Sequence, residues 1–472
     1  MNVTKDGTKD RQLHKEGYPQ MVSAEQKEYA EASTHVRITE NNHIITDFQT
    51  DKLLEQILHR DNMNAAYKRV KFNKGAGGVD GMNVDELLPF LKTNNAEILQ
   101  KLQEGKYKPN PVRRVEIPKE EKGKVRELGI PTVVDRVIQQ AIAQVLIPIY
   151  EKQFSESSFG FRPGRGAHDA LRQCQQIADD GYVYVVDMDF EKFFDTVCQS
   201  KLIEILSRTI KDGRVISLIH KYLNAGVISG GVFEKTDVGV PQGGPLSPLL
   251  SNIMLNELDK ELTHRGHRFV RYADDCVILC KSKKSAERTL KSIVTYTEKK
   301  LFLRLNREKT GVAHISKIKF LGYGFYRVKG KCRLKVHPES IMKMKNKIRE
   351  LTRRSNGWGN EYRITRLTQY VRGWVNYFKL ADMKGLLQEV DKWMRRKIRV
   401  IYWKQWKKTK TKSKMLQHYG IAKDKAWEFA NTRKGYWRTT NSPILKTSLD
   451  NKTIASLGFI TLTDYYLKVC EN

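Results

Sequence analysis

The apolar residues of this chain change their spacing near residue 335. Upstream, short strand-like runs alternate with helix-length segments. Tyr182 to Asp189, Phe269 to Tyr272 with Cys276 to Cys280, and Lys319 to Tyr326 are expected strands, whereas Val133 to Leu146 and Leu249 to Leu262 are expected helices. Downstream, Ile341, Met344, Ile348 and Leu351 recur at steps of three and four. Leu367, Val371, Trp374 and Phe378 do the same, as do Leu387, Val390, Met394 and Ile398, which predicts three successive amphipathic helices. Residues 1 to 45 lack a sustained apolar period and are expected to form a mobile extension. Structure is expected from Thr46, where Asp47, Asp51, Leu53, Leu54, Ile57 and Leu58 suggest a capped helix. It would run through Ala65 and Tyr67 to the glycine cluster Gly75 to Gly81.

Composition sharpens the picture. Against 53 Asp and Glu stand 85 Lys and Arg, a formal charge of +32 over 472 residues of which 40% are hydrophobic. A folded chain this basic repels itself unless a polyanion is its usual partner, and nucleic acid outranks an anionic membrane surface for that role. No apolar run approaches the ~18 residues of a membrane span. The amino terminus is polar, so no signal peptide is expected, and the six cysteines form no CxxC pair. That usage argues against a zinc module or disulfide framework and points to a reducing cytosol. All seven tryptophans fall beyond residue 350, and nine Lys or Arg lie between Asp391 and Lys410, interleaved with Trp393, Trp403 and Trp406. Each tryptophan taken singly reads as core; the region as a whole reads as a nucleic-acid surface.

Candidate chemistry sits in Phe269-Val270-Arg271-Tyr272-Ala273-Asp274-Asp275-Cys276-Val277, where two apolar runs flank adjacent carboxylates. The runs can pair as a hairpin with Asp274 and Asp275 at its tight connection. Carboxylates ~4 Å apart repel by about 4 kcal/mol at an effective dielectric near 20, so the pair needs a cation or a raised pKa. A second acidic strand, Tyr182 to Asp189, carries Asp187 and Asp189 on one face, and periodicity does not choose between them. Converging carboxylates suit Mg²⁺, and two such ions can activate a hydroxyl and stabilise a leaving pyrophosphate. Gly75 to Gly81 is followed by no Gly-Lys-Ser/Thr and preceded by no apolar strand, which argues against a P-loop or dinucleotide site.

These segments, with others in order, resemble the reverse transcriptases encoded by bacterial group II introns, which are also maturases; the resemblance covers roughly residues 50 to 472. Tyr272-Ala273-Asp274-Asp275 resembles polymerase motif C and Asp189 to Asp195 resembles motif A, which selects Asp189 over Asp187. The resemblance implies that Asp189, Asp274 and Asp275 are the catalytic, metal-binding triad, holding two Mg²⁺ for which Mn²⁺ can substitute. It makes Phe194 the aromatic that excludes a ribose 2′-hydroxyl, with Phe193 a core residue. Gly239 to Pro248 matches motif B and implies a nucleotide contact at Gln242. Lys122 to Pro131 resembles the fingers strand that grips the triphosphate, with Arg126 the preferred contact and Lys124 second. Ser158 to Gly166, with Arg162 and Arg165, matches a block where template backbone passes. Asn306 to Thr310 fits motif D, with Lys309 a possible proton donor to pyrophosphate, and Arg372 to Phe378 resembles the maturase X domain. No cysteine-paired HNH segment follows, which puts independent second-strand cleavage in doubt.

The fold implied is α+β: a right-hand polymerase with fingers and an antiparallel palm sheet over 46–330, an α-helical thumb (maturase X domain) over 331–410, and a small basic C-terminal region over 411–472. The activity implied is RNA-directed DNA synthesis from a primer 3′-hydroxyl, together with maturase binding of intron RNA. Partners would be group II intron RNA, an RNA template with DNA primer, deoxynucleotides and target DNA, with no membrane, in a ribonucleoprotein of the bacterial cytosol. Arg395, Arg396, Lys397, Arg399, Lys404 and Lys407 are the expected nucleic-acid contacts of the carboxyl-terminal part. The rival readings are a splicing factor with a relic polymerase site and a domesticated defence or diversification enzyme.

Overall fold

In the computed structural model residues 50–118 and 125–471 are described. The expected extension at residues 1 to 45 and the candidate Lys124 lie outside them. The described chain forms two compact units, 50–341 with 380–382, and 342–379 with 383–471.

The strands of the first unit are β1 (Val112–Pro118), β2 (Val125–Ile130), β3 (Tyr184–Met188), β4 (Val227–Ser229), β5 (Val232–Glu234), β6 (Arg268–Tyr272), β7 (Asp275–Cys280), β8 (Gly311–His314), β9 (Lys319–Phe320), β10 (Tyr323–Val328) and β11 (Lys331–Val336). They make three sheets, ordered β2-β1-β4-β5, β6-β7-β3-β8 and β11-β10-β9. The second is antiparallel throughout and central to the site. Val185, Val186 and Met188 of β3 are all buried, on both faces of the strand, which is why this run is nearly continuous in apolar residues.

Two long helices flank that sheet's end of the chain. Val133–Glu151 starts at Thr132, whose hydroxyl accepts from the Asp135 N–H at 3.2 Å, and its Pro148 falls in the last turn. Ser247–His264 starts with Pro248 in its first turn, where the missing N–H costs nothing. The first expected helix is instead two, Leu53–Leu58 and Arg60–Phe72, because His59 takes an extended backbone (φ −56°, ψ 138°). The expected strand Lys319 to Tyr326 is also interrupted, since Leu321 and Gly322 both have positive φ and turn β9 back on β10.

The second unit is helical, with Asn360–Phe378, Lys384–Gln405 and Leu462–Glu471 as long members. Leu367, Val371, Trp374, Leu387, Val390, Met394 and Ile398 are buried, as the periodicity predicts. The tryptophans divide: Trp374, Trp403 and Trp406 are core, whereas Trp427 and Trp437 are 54% and 42% exposed. Asp391, the one acid in the basic run, is buried. It accepts from the Leu462 N–H (2.8 Å), the Thr463 N–H (2.9 Å) and the Thr463 hydroxyl (2.6 Å), fixing the start of the last helix. All six cysteines are free thiols. Among the described residues no helix is long and apolar enough to cross a membrane.

Candidate active site

The two apolar runs around Ala273 and Asp274 do form a hairpin, β6 to β7, closed by the Tyr272–Asp275 pair. Ala273 has φ +56°, a left-handed conformation that costs a residue with a Cβ about 1–2 kcal/mol. Asp274 is half-buried at the tip, and Asp275 is exposed as the first residue of β7. On the other side of β7, β3 runs antiparallel and ends with Met188 opposite Cys276, so Asp189 leaves the strand one residue past that pair, as Asp275 precedes it on β7. The register therefore brings the acidic strand end to the acidic hairpin.

Asp189 is held by its backbone. Its N–H donates to Thr310 Oγ1 (3.2 Å), and its carbonyl accepts from the Asn306 N–H (2.8 Å). The loop expected as motif D thus clamps Asp189, a role for Thr310 that sequence reasoning missed. A threonine in a polar loop carries no signal of what it bonds. Lys309 Nζ lies 3.8 Å from Asp189 Oδ2. Burial pushes the Asp274 carboxyl up, and the charge of Asp189 pushes it the same way. A hydrogen bond from its own backbone, Arg126 and Arg271 oppose the rise. Burial, with Asp189 adding, pushes Asp187 up to about 6.

Among the described residues no three Asp, Glu, His or Cys side chains are gathered into a ready ligand set. The backbones of Asp189, Asp274 and Asp275 are nonetheless adjacent, the donors are all carboxylate oxygens, and the rise at Asp274 is one a cation would relieve. Such donors fit a hard divalent cation.

A pocket in the same unit is lined by Phe194, Gln242, Gly239, Lys192, Arg114 and Glu127, among others. Phe193 is buried in the core and Phe194 faces this pocket. The Gln242 carbonyl accepts from the Gly129 N–H of β2 (2.7 Å), tying the loop expected as motif B to β2. Gly243, at φ +128°, would bring a Cβ within 2.4 Å of the Gly129 carbonyl. Arg126 is exposed on β2, and its charge reaches Asp274.

Two expected nucleic-acid contacts need correction. Arg162 is buried, paired with Glu151 at 2.6 Å and donating to the carbonyls of Ser155 and Ser158, so its guanidinium braces a loop rather than facing a polyanion. Arg399 is also buried and donates to the Leu449 carbonyl at 2.9 Å. Arg165 pairs with Glu156 beside the Phe159 ring. Lys404 and Lys407 are exposed, and Arg395, Arg396 and Lys397 are half-buried.

Around Arg396 and Lys397 the second unit gathers cations on aromatic rings. Arg396 lies 3.7 Å from the Trp437 centroid, Lys397 5.5 Å from Trp393, Arg349 5.5 Å from Trp393 and Arg354 4.5 Å from Tyr436. Burial and the like charges of Arg349 and Arg354 hold the Lys397 ammonium below the usual lysine range. No described carboxylate pairs with any of these four cations.

Residues 117–325 match the family described as reverse transcriptase (RNA-dependent DNA polymerase), and residues 341–420 match the group II intron maturase-specific domain. The chain is 35% identical over 317 residues to Protein YkfC of Escherichia coli (strain K12), covering 58% of this chain and 83% of that one. It is 32% identical over 352 residues to the group II intron-encoded protein LtrA of Lactococcus lactis subsp. cremoris, covering 61% of this chain and 58% of LtrA. Among solved structures, a partial Cas6-RT-Cas1–Cas2 complex is similar at 25% identity and a TM-score of 0.35, over 52% of this chain and 42% of that one. With a reverse transcriptase domain followed by a maturase-specific domain, the chain belongs to the group II intron-encoded reverse transcriptases and is an RNA-directed DNA polymerase.

Proposed function

We propose that this polymerase extends a primer 3′-hydroxyl along an RNA template through Asp189, Asp274 and Asp275, and that it binds its parent intron RNA to favour the splicing-competent fold. The observation that supports the proposal is the β3–β7 register, which ends at Met188 opposite Cys276 and so leaves Asp189 at the same end of the sheet as the Asp274–Asp275 turn, where its charge acts on Asp274. In this reading the three carboxylates hold Mg²⁺, which supplies activation of the attacking hydroxyl and charge relief on the departing pyrophosphate. Arg126 binds the triphosphate and is positioned to do so by β2. Phe194 and Gln242 orient the incoming sugar and base from the pocket wall. Lys309, beside Asp189, supplies positive charge where the leaving group forms.

Primer extension on RNA with Mg²⁺ tests this directly. Asp274→Ala should slow synthesis about a thousandfold, the loss of about 4 kcal/mol expected for a broken metal site. Equal, negligible synthesis by both proteins would leave a splicing factor with a relic centre. The cation–aromatic cluster around Arg396 is the proposed nucleic-acid surface of the second unit, where the guanidinium and ammonium groups meet phosphates. Intron RNA, template–primer and target DNA are its proposed partners, in a cytosolic ribonucleoprotein.

A further inference from the structure

We infer that Arg271 is a positioning residue for the paired carboxylates, acting through a buried polar circuit that fixes the backbone of Ala273; this rests on the polymerase reading of the hairpin. Arg271 lies in β6 beside Phe269 and Val270, and its side chain is fully buried. A guanidinium inside an apolar strand demands complete pairing, and every arm of this one is paired. Its Nε and Nη2 grip the two oxygens of Asp259, itself fully buried, at 2.8 and 2.5 Å. Its Nη1 donates to Asn252 Oδ1 (3.0 Å) and to the Ala273 carbonyl (2.8 Å).

The circuit continues from there. Asn252 Nδ2 donates to the Gly160 carbonyl at 2.8 Å. Gly160 presses against the turn so closely that a Cβ on it would stand 2.1 Å from the Ala273 nitrogen. The backbone of Arg271 closes the loop, donating to the Ser157 carbonyl (2.8 Å) and accepting from the Phe159 N–H (2.9 Å). Arg271 and the 155–166 loop therefore both bear on one alanine, and the Ser247–His264 helix holds both of them through Asp259 and Asn252.

The target of this convergence is specific. Ala273 holds a left-handed φ that alanine rarely adopts, and the two residues after it are Asp274 and Asp275. Relaxing that φ redirects both carboxylates. The planar fork of arginine reaches Asp259, Asn252 and the Ala273 carbonyl at once, which an ammonium cannot do in one geometry. A buried ion pair kept only for stability can be exchanged for well-packed apolar groups. One that aims a turn cannot.

The double variant Arg271→Met with Asp259→Leu makes that distinction, because it removes both buried charges together. Wild type, the double variant, Asn252→Ala and Asp274→Ala would be compared by thermal melting, RNA binding, single-turnover primer extension and the Mg²⁺ concentration giving half-maximal rate. The expected double variant melts cooperatively and binds RNA normally. Its single-turnover rate falls about a hundredfold, the penalty of an approximately 1 Å misplacement, and it needs severalfold more Mg²⁺. A folded double variant with the wild-type rate and Mg²⁺ response overturns the inference. Should the double variant fail to fold, Asn252→Ala decides: a lower rate with a raised Mg²⁺ requirement sustains the inference, and unchanged values overturn it. Loss of fold in both variants also overturns it, since the circuit would then serve the core and not the turn. Extension by wild type that Asp274→Ala abolishes keeps the polymerase reading intact whichever way these results fall, whereas wild type without extension defeats that reading separately.

Discussion

Phe193 and Phe194 are adjacent and chemically identical, yet one is core and the other faces the pocket that holds Gln242. A ring at Phe194 that blocks a 2′-hydroxyl discriminates by sterics alone. Phe194→Ala should therefore raise ribonucleotide incorporation at least about tenfold, a loss of roughly 1.4 kcal/mol of discrimination. Competition between ribo- and deoxynucleotides in primer extension measures it, and unchanged sugar selectivity removes Phe194 as the gate. The same contrast separates the arginines. Arg126 is exposed and its charge reaches Asp274, while Arg162 and Arg399 are spent on protein partners inside the fold. Sequence shows that a residue is charged; burial alone decides whether the charge meets a ligand.

The 239–248 loop shows how elements cooperate. It is stitched to β2 through Gly129 and Gln242, and to the short Phe193–Thr196 helix by the Val240 N–H donating to the Phe194 carbonyl at 2.6 Å. Gly243→Ala would force a Cβ into the Gly129 carbonyl from a φ of +128°. It should cost about 1–3 kcal/mol of stability. Because Gln242 moves with the loop, the KM for deoxynucleotides should rise as well. A wild-type melting curve and KM would show that the loop tolerates the change. The acidic hairpin and its partner strand were readable in advance, because apolar runs bracket the acids and alternation sets their faces. The preference for Asp189 over Asp187 rests on the motif pattern and not on periodicity. The Arg271 circuit was hidden for a different reason: apart from the step to Ala273, its contacts join positions 12 to 114 residues apart, and no local periodicity encodes them. Helix breaks at His59 and the Leu321 turn likewise depend on single backbone angles that composition does not signal.

Across the molecule, charge predicts salt dependence. The cations gathered on Trp393, Tyr436 and Trp437 have no described carboxylate to satisfy them, so each phosphate they neutralise should release counterions. Log affinity for intron RNA should fall linearly with log salt. Replacing Arg396 and Lys397 together by Ala should flatten that slope by about 1.4 to 1.8, at roughly 0.7 to 0.9 per phosphate. A slope unchanged in the double variant would place the RNA elsewhere. Trp437 should then also be indifferent to substitution by Ala, since its ring lies under Arg396.

Asp391 limits how far this protein tolerates being shortened from its carboxyl end. Cutting before Thr461 would strip away the Leu462 and Thr463 donors that satisfy this buried carboxylate, at about 1–3 kcal/mol for each lost partner. A truncation designed to tidy a seemingly peripheral helix would thus damage the interior of the unit it came from, and appended tags belong after that helix, never in place of it.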